Sequence, residues 1–289
     1  LYSDPAGTVE TILYDGSGTA EVEVTDEYGV SHRVWRVSDP ATTRLLTTAM
    51  DDKKLIIADG HHRYETALNY GRERAREHAA APAKQEFSAM HLPQPPYPEA
   101  AAMMTFVNMD ADGLVILPTH RVVHGLKDFD PAAFARSAEQ FFTAEPLSTA
   151  EAAGYIEALK KQEGPAFVAV TRDGALLLRS KPEAAEVALK AIPERLRQFD
   201  LTHLHTLILE RLLGLDAEKV REQTNIRYLR DAAEAVDQVR RGEADIAFLT
   251  NPVTMEQLRE VAFAGDVMPQ KSTDFFPKLL SGLAIYALD

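Results

Sequence analysis

An acid, a glycine, two histidines and an arginine follow one short apolar run of the chain. The run is 55–58, Leu-Ile-Ile-Ala, and the residues after it are Asp59, Gly60, His61, His62 and Arg63. Such a run predicts a buried strand, and the helix-forming residues that continue to about His78 predict a helix. Free backbone N–H groups and the positive end of the dipole lie at a helix start, so anions bind there readily. The sequence therefore predicts an anion-binding site at this junction.

Each of these residues also has a purely structural interpretation. Asp59 could serve only as a helix cap, Gly60 only as a tight turn, and the histidines could be surface residues. Several ionisable groups crowded together where a strand meets a helix cost free energy, and such clusters are typical of sites where the groups bind a ligand or take part in a reaction. We therefore predict that Asp59, His61 and His62 are catalytic residues.

Composition limits the class of protein. The 289 residues are 45% apolar, enough for a sizeable core shared by two domains. The 31 basic and 44 acidic residues give a net charge of -13, which argues against nucleic acid as a partner but allows a small anionic ligand in a local basic pocket. The lack of cysteine predicts a reducing cytoplasm. No apolar run approaches the ~20 residues that span a bilayer, and we expect no membrane partner.

Periodicity predicts an α+β, or mixed α/β, fold of two lobes. Residues 8–37 alternate apolar and polar side chains, which predicts an antiparallel meander, and Asp39-Pro40 predicts the start of a helix that ends near Met50. The first lobe is predicted at 1–113. Alternating strand and helix patterns predict an α/β lobe at 114–289, with a last strand at 283–288.

Two further segments carry polar groups suited to phosphate. Pro118-Thr119-His120-Arg121 follows a predicted strand, and the loop 268–282 of the second lobe contains lysines, hydroxyls and an amide. We expect both segments to return to the helix start near His61. The predicted substrate- and phosphate-binding residues are Gly60, Arg63, Thr119, His120, Arg121, Gln270, Lys271, Ser272, Thr273 and Lys278.

Four motifs together resemble the DUF1015 family of unknown function, over essentially the whole chain. They are Asp-Gly-His-His-Arg at 59–63, Pro-Thr-His-Arg at 118–121, Asn251-Pro252 and Met-Pro-Gln-Lys-Ser-Thr at 268–273. The first motif also resembles that of the wider ParB/sulfiredoxin-like superfamily, which includes nucleotide-binding chromosome-partitioning proteins, sulfiredoxins and kinases acting on free serine. This resemblance implies a ParB-like strand–helix core, and a nucleotide phosphate (ATP or ADP, with Mg²⁺) at the helix start.

The chain departs from the family in two ways. Family members are longer at the N-terminus, so we expect this chain to lack a segment that supplies further catalytic groups. Asp274 stands where the family usually has an aromatic residue. If essential acids lie in the missing segment, the chain would bind its ligand without turnover.

The leading hypothesis is phosphate-ester chemistry, by a kinase or a phosphatase, on a small metabolite. Phosphoryl transfer needs mainly positioning and charge neutralisation. Arg63 or Lys271 would hold phosphate, Asp59 would position a hydroxyl or water or hold Mg²⁺, and His61 or His62 would move a proton. Similarity to the superfamily favours serine or phosphoserine as the substrate. The sequence contains no Gly-rich Walker loop.

Two alternatives remain open at this stage. His61, His62, His120 and His124 with Asp59 could form a metal-dependent hydrolase, although our predicted site contains no metal ligands. The other alternative is a regulatory protein that binds a nucleotide without converting it.

The apolar helix near Leu204–Leu213 is predicted to be buried, and it could instead form a contact in a homodimer. At its start, His205 is a candidate ligand contact, whereas His203 is predicted to be structural.

Overall fold

The computed structural model describes residues 1–78, 95–269 and 271–288. The chain divides into two compact units, of which one is Leu1–Val115 with Phe275–Asp289 and the other is Ile116–Asp274. Helices and antiparallel sheets occur together, which confirms the predicted α+β class. The lobe boundary between residues 113 and 114 stays a prediction. Within the described residues, no helix combines the length and apolar character needed to cross a membrane.

In its described residues, the first unit contains helices and one antiparallel hairpin. Strands β1 and β2 pair with Val22 opposite Val34. Its elements are α1 (Thr8–Gly16), β1 (Val22–Thr25), β2 (Ser31–Val34), α2 (Pro40–Met50), α3 (His61–His78) and a 3₁₀ turn (Pro98–Ala100). The helices predicted from Asp39-Pro40 and after Asp59 are therefore confirmed.

The predicted meander over residues 8–37 is wrong in its first part, where α1 forms. The Asp4 carboxylate accepts the backbone N–H of Val9 at 2.8 Å, and the Gly7 carbonyl accepts the Thr11 N–H at 3.0 Å. The first bond satisfies an N–H group of the first helical turn, which has no acceptor within the helix, and the second is the first i→i−4 bond of α1. Val9 is the buried residue of the helix. Local capping thus outweighs the short alternating pattern of the sequence.

Two other predicted strands, at 55–58 and 283–288, are absent. Leu55 and Ile57 are 52% and 48% exposed, and Ile285 is 85% exposed. Ile56 exchanges one pair of backbone hydrogen bonds with Leu1, at 2.9 and 2.6 Å. One exchanged pair does not extend into a ladder, and an apolar run without a covering layer gains little from burial. The buried strand predicted before Asp59 is therefore wrong.

The second unit is built on a six-stranded sheet in the order β5-β7-β6-β9-β4-β8, with every pair antiparallel. Its strands are β4 (His120–Val123), β5 (Phe142–Pro146), β6 (Ala166–Thr171), β7 (Gly174–Ser180), β8 (Ile226–Leu229) and β9 (Ile246–Leu249). The chain passes between the two units at the short strands β3 (Val115–Ile116) and β10 (Phe275–Phe276).

Helices cover both faces of this sheet. The helices of this unit are α4 (Pro131–Ala138), α5 (Ala152–Lys160), α6 (Pro182–Ala188), a 3₁₀ turn (Glu194–Gln198), α7 (Asp200–His203), a π-helix (Leu204–Leu212), α8 (Ala217–Glu222), α9 (Ala232–Arg240) and α10 (Met255–Phe263). Val123 and Phe248 pack on one face with the π-helix, and Val122 and Leu249 pack on the other with α5 and α9. Side chains of a strand alternate between its two faces, so successive residues of β4 pack against opposite layers of helices.

The π-helix is part of the core of the second unit. Leu204, Leu207, Ile208 and Leu209 have no exposed surface. The prediction of a buried helix is correct, and these four side chains are not available to a second copy of the chain. The predicted homodimer stays a prediction.

Candidate functional site

Helix α3 begins directly after a glycine that turns the chain. Gly60 has a φ of +79°, in the left-handed region that favours glycine. The first bond of the helix runs from the Tyr64 N–H to the Gly60 carbonyl at 3.0 Å. The N–H groups of His61, His62 and Arg63 precede this bond, so they have no acceptor within the helix. The backbone therefore has the form of a helix-start anion site.

The Arg63 side chain folds back over this helix start. A Cβ placed on Gly60 would lie 2.8 Å from Arg63 Nη2 and 3.1 Å from its Cζ. Arg63 Nη2 also lies 3.4 Å from Asp59 Oδ2, and both side chains are 76% exposed. An exposed ion pair of this kind contributes little to stability. The guanidinium and the Asp59 carboxylate are thus held beside the first-turn amides and remain open to a ligand.

The two histidine rings lie side by side at the same place, with their planes tilted by 45°. The His61 and His62 ring centroids are 3.9 Å apart, and His62 Nδ1 lies 3.6 Å from the Glu65 carboxylate. The His62 side chain is 85% exposed. The first turn therefore presents a carboxylate, two imidazoles and a guanidinium to solvent, a set that supports proton transfer and anion binding.

In the second unit, β4 separates two residues predicted to act together. His120 shares its sheet face with Val122, whereas Arg121 lies on the face of Val123. Both side chains are 1% exposed. His120 Nδ1 accepts the Thr250 N–H at 3.3 Å, and burial lowers the pKa of His120 to about 4, so its imidazole is neutral at pH 7. One ligand cannot reach both side chains from the same face of the sheet.

Arg121 contacts two other predicted residues through their backbone. Its Nη1 donates to the Thr119 carbonyl, and its Nη2 donates to the Lys271 carbonyl at 2.8 Å. The ring centroid of Tyr228, opposite Arg121 on β8, lies 5.5 Å from the guanidinium carbon. Burial lowers the pKa of Arg121 to about 10, which leaves it protonated at pH 7. Thr119, Arg121 and Lys271 are therefore brought together within this unit.

The remaining residues of the predicted C-terminal loop differ in their surroundings. Ser272 is buried, and its hydroxyl donates to the Pro269 carbonyl. Thr273 is half-buried, and Lys278 is an exposed residue of the first unit. Gln270 lies outside the described residues. Asp274 forms an ion pair with Arg230, with Nη2 donating to Oδ1 at 2.9 Å.

The geometry of β4 also bears on the metal-hydrolase alternative. His120 and His124 are four residues apart on an extended chain, which separates their Cα atoms by about 13 Å. Two ligands of one zinc ion need to lie far closer than this. Among the described residues, no three His, Cys, Asp or Glu side chains are grouped so that they could hold a metal ion. The structure therefore argues against a shared metal site of His120 and His124.

A cavity of about 460 Å³ in the second unit lies at residues that the sequence analysis did not select. It is lined by Gly125–Asp130 after β4 and by Leu212–Leu215 at the end of the π-helix, with Lys219 and Asn225 beside them. Lys219 Nζ donates to the Gly214 carbonyl at 3.1 Å. The Lys219 side chain is thus bonded to the backbone of the cavity wall.

Comparison with known proteins identifies a family and weak structural neighbours. A family model described as "Protein of unknown function (DUF1015)" matches residues 1–202. A conserved hypothetical protein from Pyrococcus furiosus is 15% identical, with a TM-score of 0.36, and the match covers 58% of this chain and 59% of that one. This chain thus spans under two thirds of that protein's length. No curated protein matches the chain.

Two other solved structures are of free serine kinase mutants. One, in complex with AMP, is 14% identical with a TM-score of 0.35, and the match covers 58% of this chain and 57% of that chain. The other, in complex with ADP, is 10% identical with a TM-score of 0.36, and covers 95% of this chain and 82% of that chain.

Proposed function

The chain belongs to the DUF1015 family, and we propose that it binds a phosphate-bearing small metabolite at the start of α3 and carries out phosphate-ester chemistry on it. The observation that supports this most is the position of Arg63. Its guanidinium lies over Gly60, 2.8 Å from the site of a Cβ there, so one phosphate group can meet both the cation and the first-turn amides. In a chain of net charge -13, this is a local site for an anion.

Each residue of the first turn has a separate role in the proposed reaction. Arg63 and the amides hold the phosphate and neutralise its charge, which is the main requirement of phosphoryl transfer. Asp59 orients the attacking hydroxyl or water, and His61 or His62 moves the proton. The exposed Asp59 carboxylate also suits Mg²⁺, which would supply further charge neutralisation.

The finer details are part of the same proposal. The substrate is serine or phosphoserine, the phosphate donor or acceptor is ATP or ADP, and the helix start corresponds to that of the ParB/sulfiredoxin-like superfamily. Gly60 provides the turn before α3 that such a site needs, although the residues directly before it, 55–58, form no strand. Roles for Thr119, His120, Gln270, Lys271, Ser272, Thr273 and Lys278 in binding the same ligand stay predictions.

The proposal predicts a loss of affinity when Arg63 is removed. Arg63→Ala should weaken binding of ADP, ATP or phosphoserine by about tenfold, because a charge-assisted hydrogen bond to phosphate is lost. Isothermal titration calorimetry with Mg²⁺ present measures this directly. The matched control is Arg72→Ala, which removes an exposed cation from the same helix beyond its first turn. Equal affinity for the two variants would exclude phosphate binding at this helix start.

A further inference from the structure

The buried Arg121 guanidinium has no anion to balance its charge among the described residues. Its two hydrogen bonds go to neutral backbone carbonyls, of Thr119 and Lys271, and its buried Nε has no partner in the described part of the chain. Among the described residues, the titratable side chain that acts on the Arg121 pKa is the neutral phenol of Tyr228 rather than a carboxylate. A buried cation without a counter-charge is costly. The site is therefore one that an anion would stabilise.

Other buried polar atoms near this cation also lack partners among the residues that the structure describes. They are Tyr228 Oη, His205 Nε2 and Thr119 Oγ1. Tyr228 stands opposite Arg121 in the sheet, and His205 is close enough for the charge of Arg121 to act on it. Native proteins pair most of their buried polar atoms, so several unpaired ones around one guanidinium point to a missing ligand.

Every one of these groups can donate a hydrogen bond. Burial, together with the charge of Arg121, lowers the pKa of His205 to about 3, so its imidazole is neutral and can donate from Nε2 in one tautomer. Burial raises the pKa of Tyr228, which keeps its hydroxyl protonated. Arg121 only donates, and the Thr119 hydroxyl can donate too. A cluster of donors around one cation suits a ligand that only accepts.

The element that carries His205 is itself unusual. His205 belongs to the π-helix Leu204–Leu212, whose apolar side chains are held in the core. π-helical segments are rare, and they occur frequently at functional sites. The wider turn thus places a polar ring beside Arg121 on an otherwise apolar face of the sheet.

We propose that Arg121, Tyr228, His205 and Thr119 form an oxyanion site in the second unit, which takes one phosphate or carboxylate group of a small molecule. The site goes beyond the proposed function, since all its residues lie in the second unit and none is in α3. Two acceptor oxygens of the ligand would satisfy the Arg121 Nε–H and the Tyr228 hydroxyl.

Binding of inorganic phosphate and of acetate to the full chain tests this proposal. Calorimetry at constant ionic strength should show that Tyr228→Phe weakens binding by about tenfold, because one buried hydrogen bond to an anion is lost while the ring remains. Arg121→Met should abolish binding at this site. Arg172→Met, which removes an exposed arginine of the same unit, should bind as the wild type does.

Thermal unfolding provides a second readout. Phosphate stabilises many proteins by exclusion from their surface, so the wild type and Arg121→Met are compared at the same phosphate concentration. The wild type should gain the larger rise in Tm. If Arg121→Met does not fold, Tyr228→Phe and the shift of the Arg121 Nε–H signal on adding phosphate still decide the outcome.

The outcomes separate this site from the one at α3. Loss of binding in Tyr228→Phe but not in Arg63→Ala supports the oxyanion site, and a preference for phosphate over acetate, or the reverse, identifies the ligand group. Loss only in Arg63→Ala would place the anion at α3 and overturn the proposal. Wild-type affinity in both Tyr228→Phe and Arg121→Met would also overturn it and leave Arg121 with a structural role.

Discussion

We expect Asp59→Asn to lower the turnover number of the proposed reaction on the phosphate ester by about a thousandfold, the scale expected when a group that transfers or orients a proton is lost. Asn has nearly the shape of Asp but does not act as a base, and its neutral amide provides no negative charge for a cation. Asp59 lies beside Arg63 at the start of α3, so the loss falls on the reacting groups rather than on the fold. Ligand affinity should therefore change much less than turnover.

The measurement is phosphate release from phosphoserine, together with transfer of phosphate from ATP or ADP to serine. Asp52→Asn is the matched control, because it removes an exposed carboxylate from the same unit a few residues earlier. Wild-type turnover in Asp59→Asn would remove Asp59 from the mechanism. A wild-type chain that binds the ligand without any turnover would instead support the regulator.

The stability of the second unit should fall by about 3 kcal/mol between pH 5 and pH 8 because of Asp200 alone. Asp200 Oδ1 accepts the Ala166 N–H at 3.2 Å, and burial raises the pKa of Asp200 from 3.8 to about 7. The folded state thus holds a proton that the unfolded state has already released between these two values. Stability is therefore fully present below pH 4 and is lost as the pH rises through 7.

Urea unfolding at pH 5 and at pH 8 measures this effect. Asp200→Asn, which cannot ionise, should lose this part of the pH dependence and should be more stable than the wild type at pH 8. Asp173→Asn changes an exposed carboxylate in the turn between β6 and β7 and should keep the wild-type slope. Equal slopes for the wild type and Asp200→Asn would show that Asp200 has an ordinary pKa in the folded chain.

The start of α2, the start of α10 and the end of the π-helix could be predicted from the sequence because local bonds set them. The Asp39 carboxylate accepts the Thr42 N–H at 2.7 Å, directly before Pro40 at the first position of α2. Thr254 and Gln257 form a capping box at α10. Gly214, with a φ of +66°, follows the end of the π-helix. Each signal is complete within a few residues, so no knowledge of the tertiary fold is needed.

The strand errors arise because strands depend on distant partners. The residues at 55–58 and 283–288 are as apolar as those of β9, which is fully buried. The difference is that β9 lies between β6 and β4, whereas the described residues give the two runs no ladder. Apolar composition alone cannot show which run acquires neighbours.

Only some residues of the two candidate sites could be predicted from the sequence. The first turn of α3 could be located because its residues are consecutive, and its ionisable side chains follow a glycine. Tyr228 could not be found, because only the register of β8 on β4 places it opposite Arg121. His205 was noted as a possible contact, but its approach to Arg121 depends on the π-helix, which no local pattern predicted.

Backbone amide chemical shifts test the binding of a phosphate group at the start of α3 most directly. Titration of the isotopically labelled chain with phosphoserine, and separately with ADP, should move the N–H signals of His61, His62 and Arg63 most strongly, since hydrogen bonds to an anion form there. Signals late in α3, such as that of Arg72, should move little. Saturable binding that leaves the three first-turn signals in place would contradict the account.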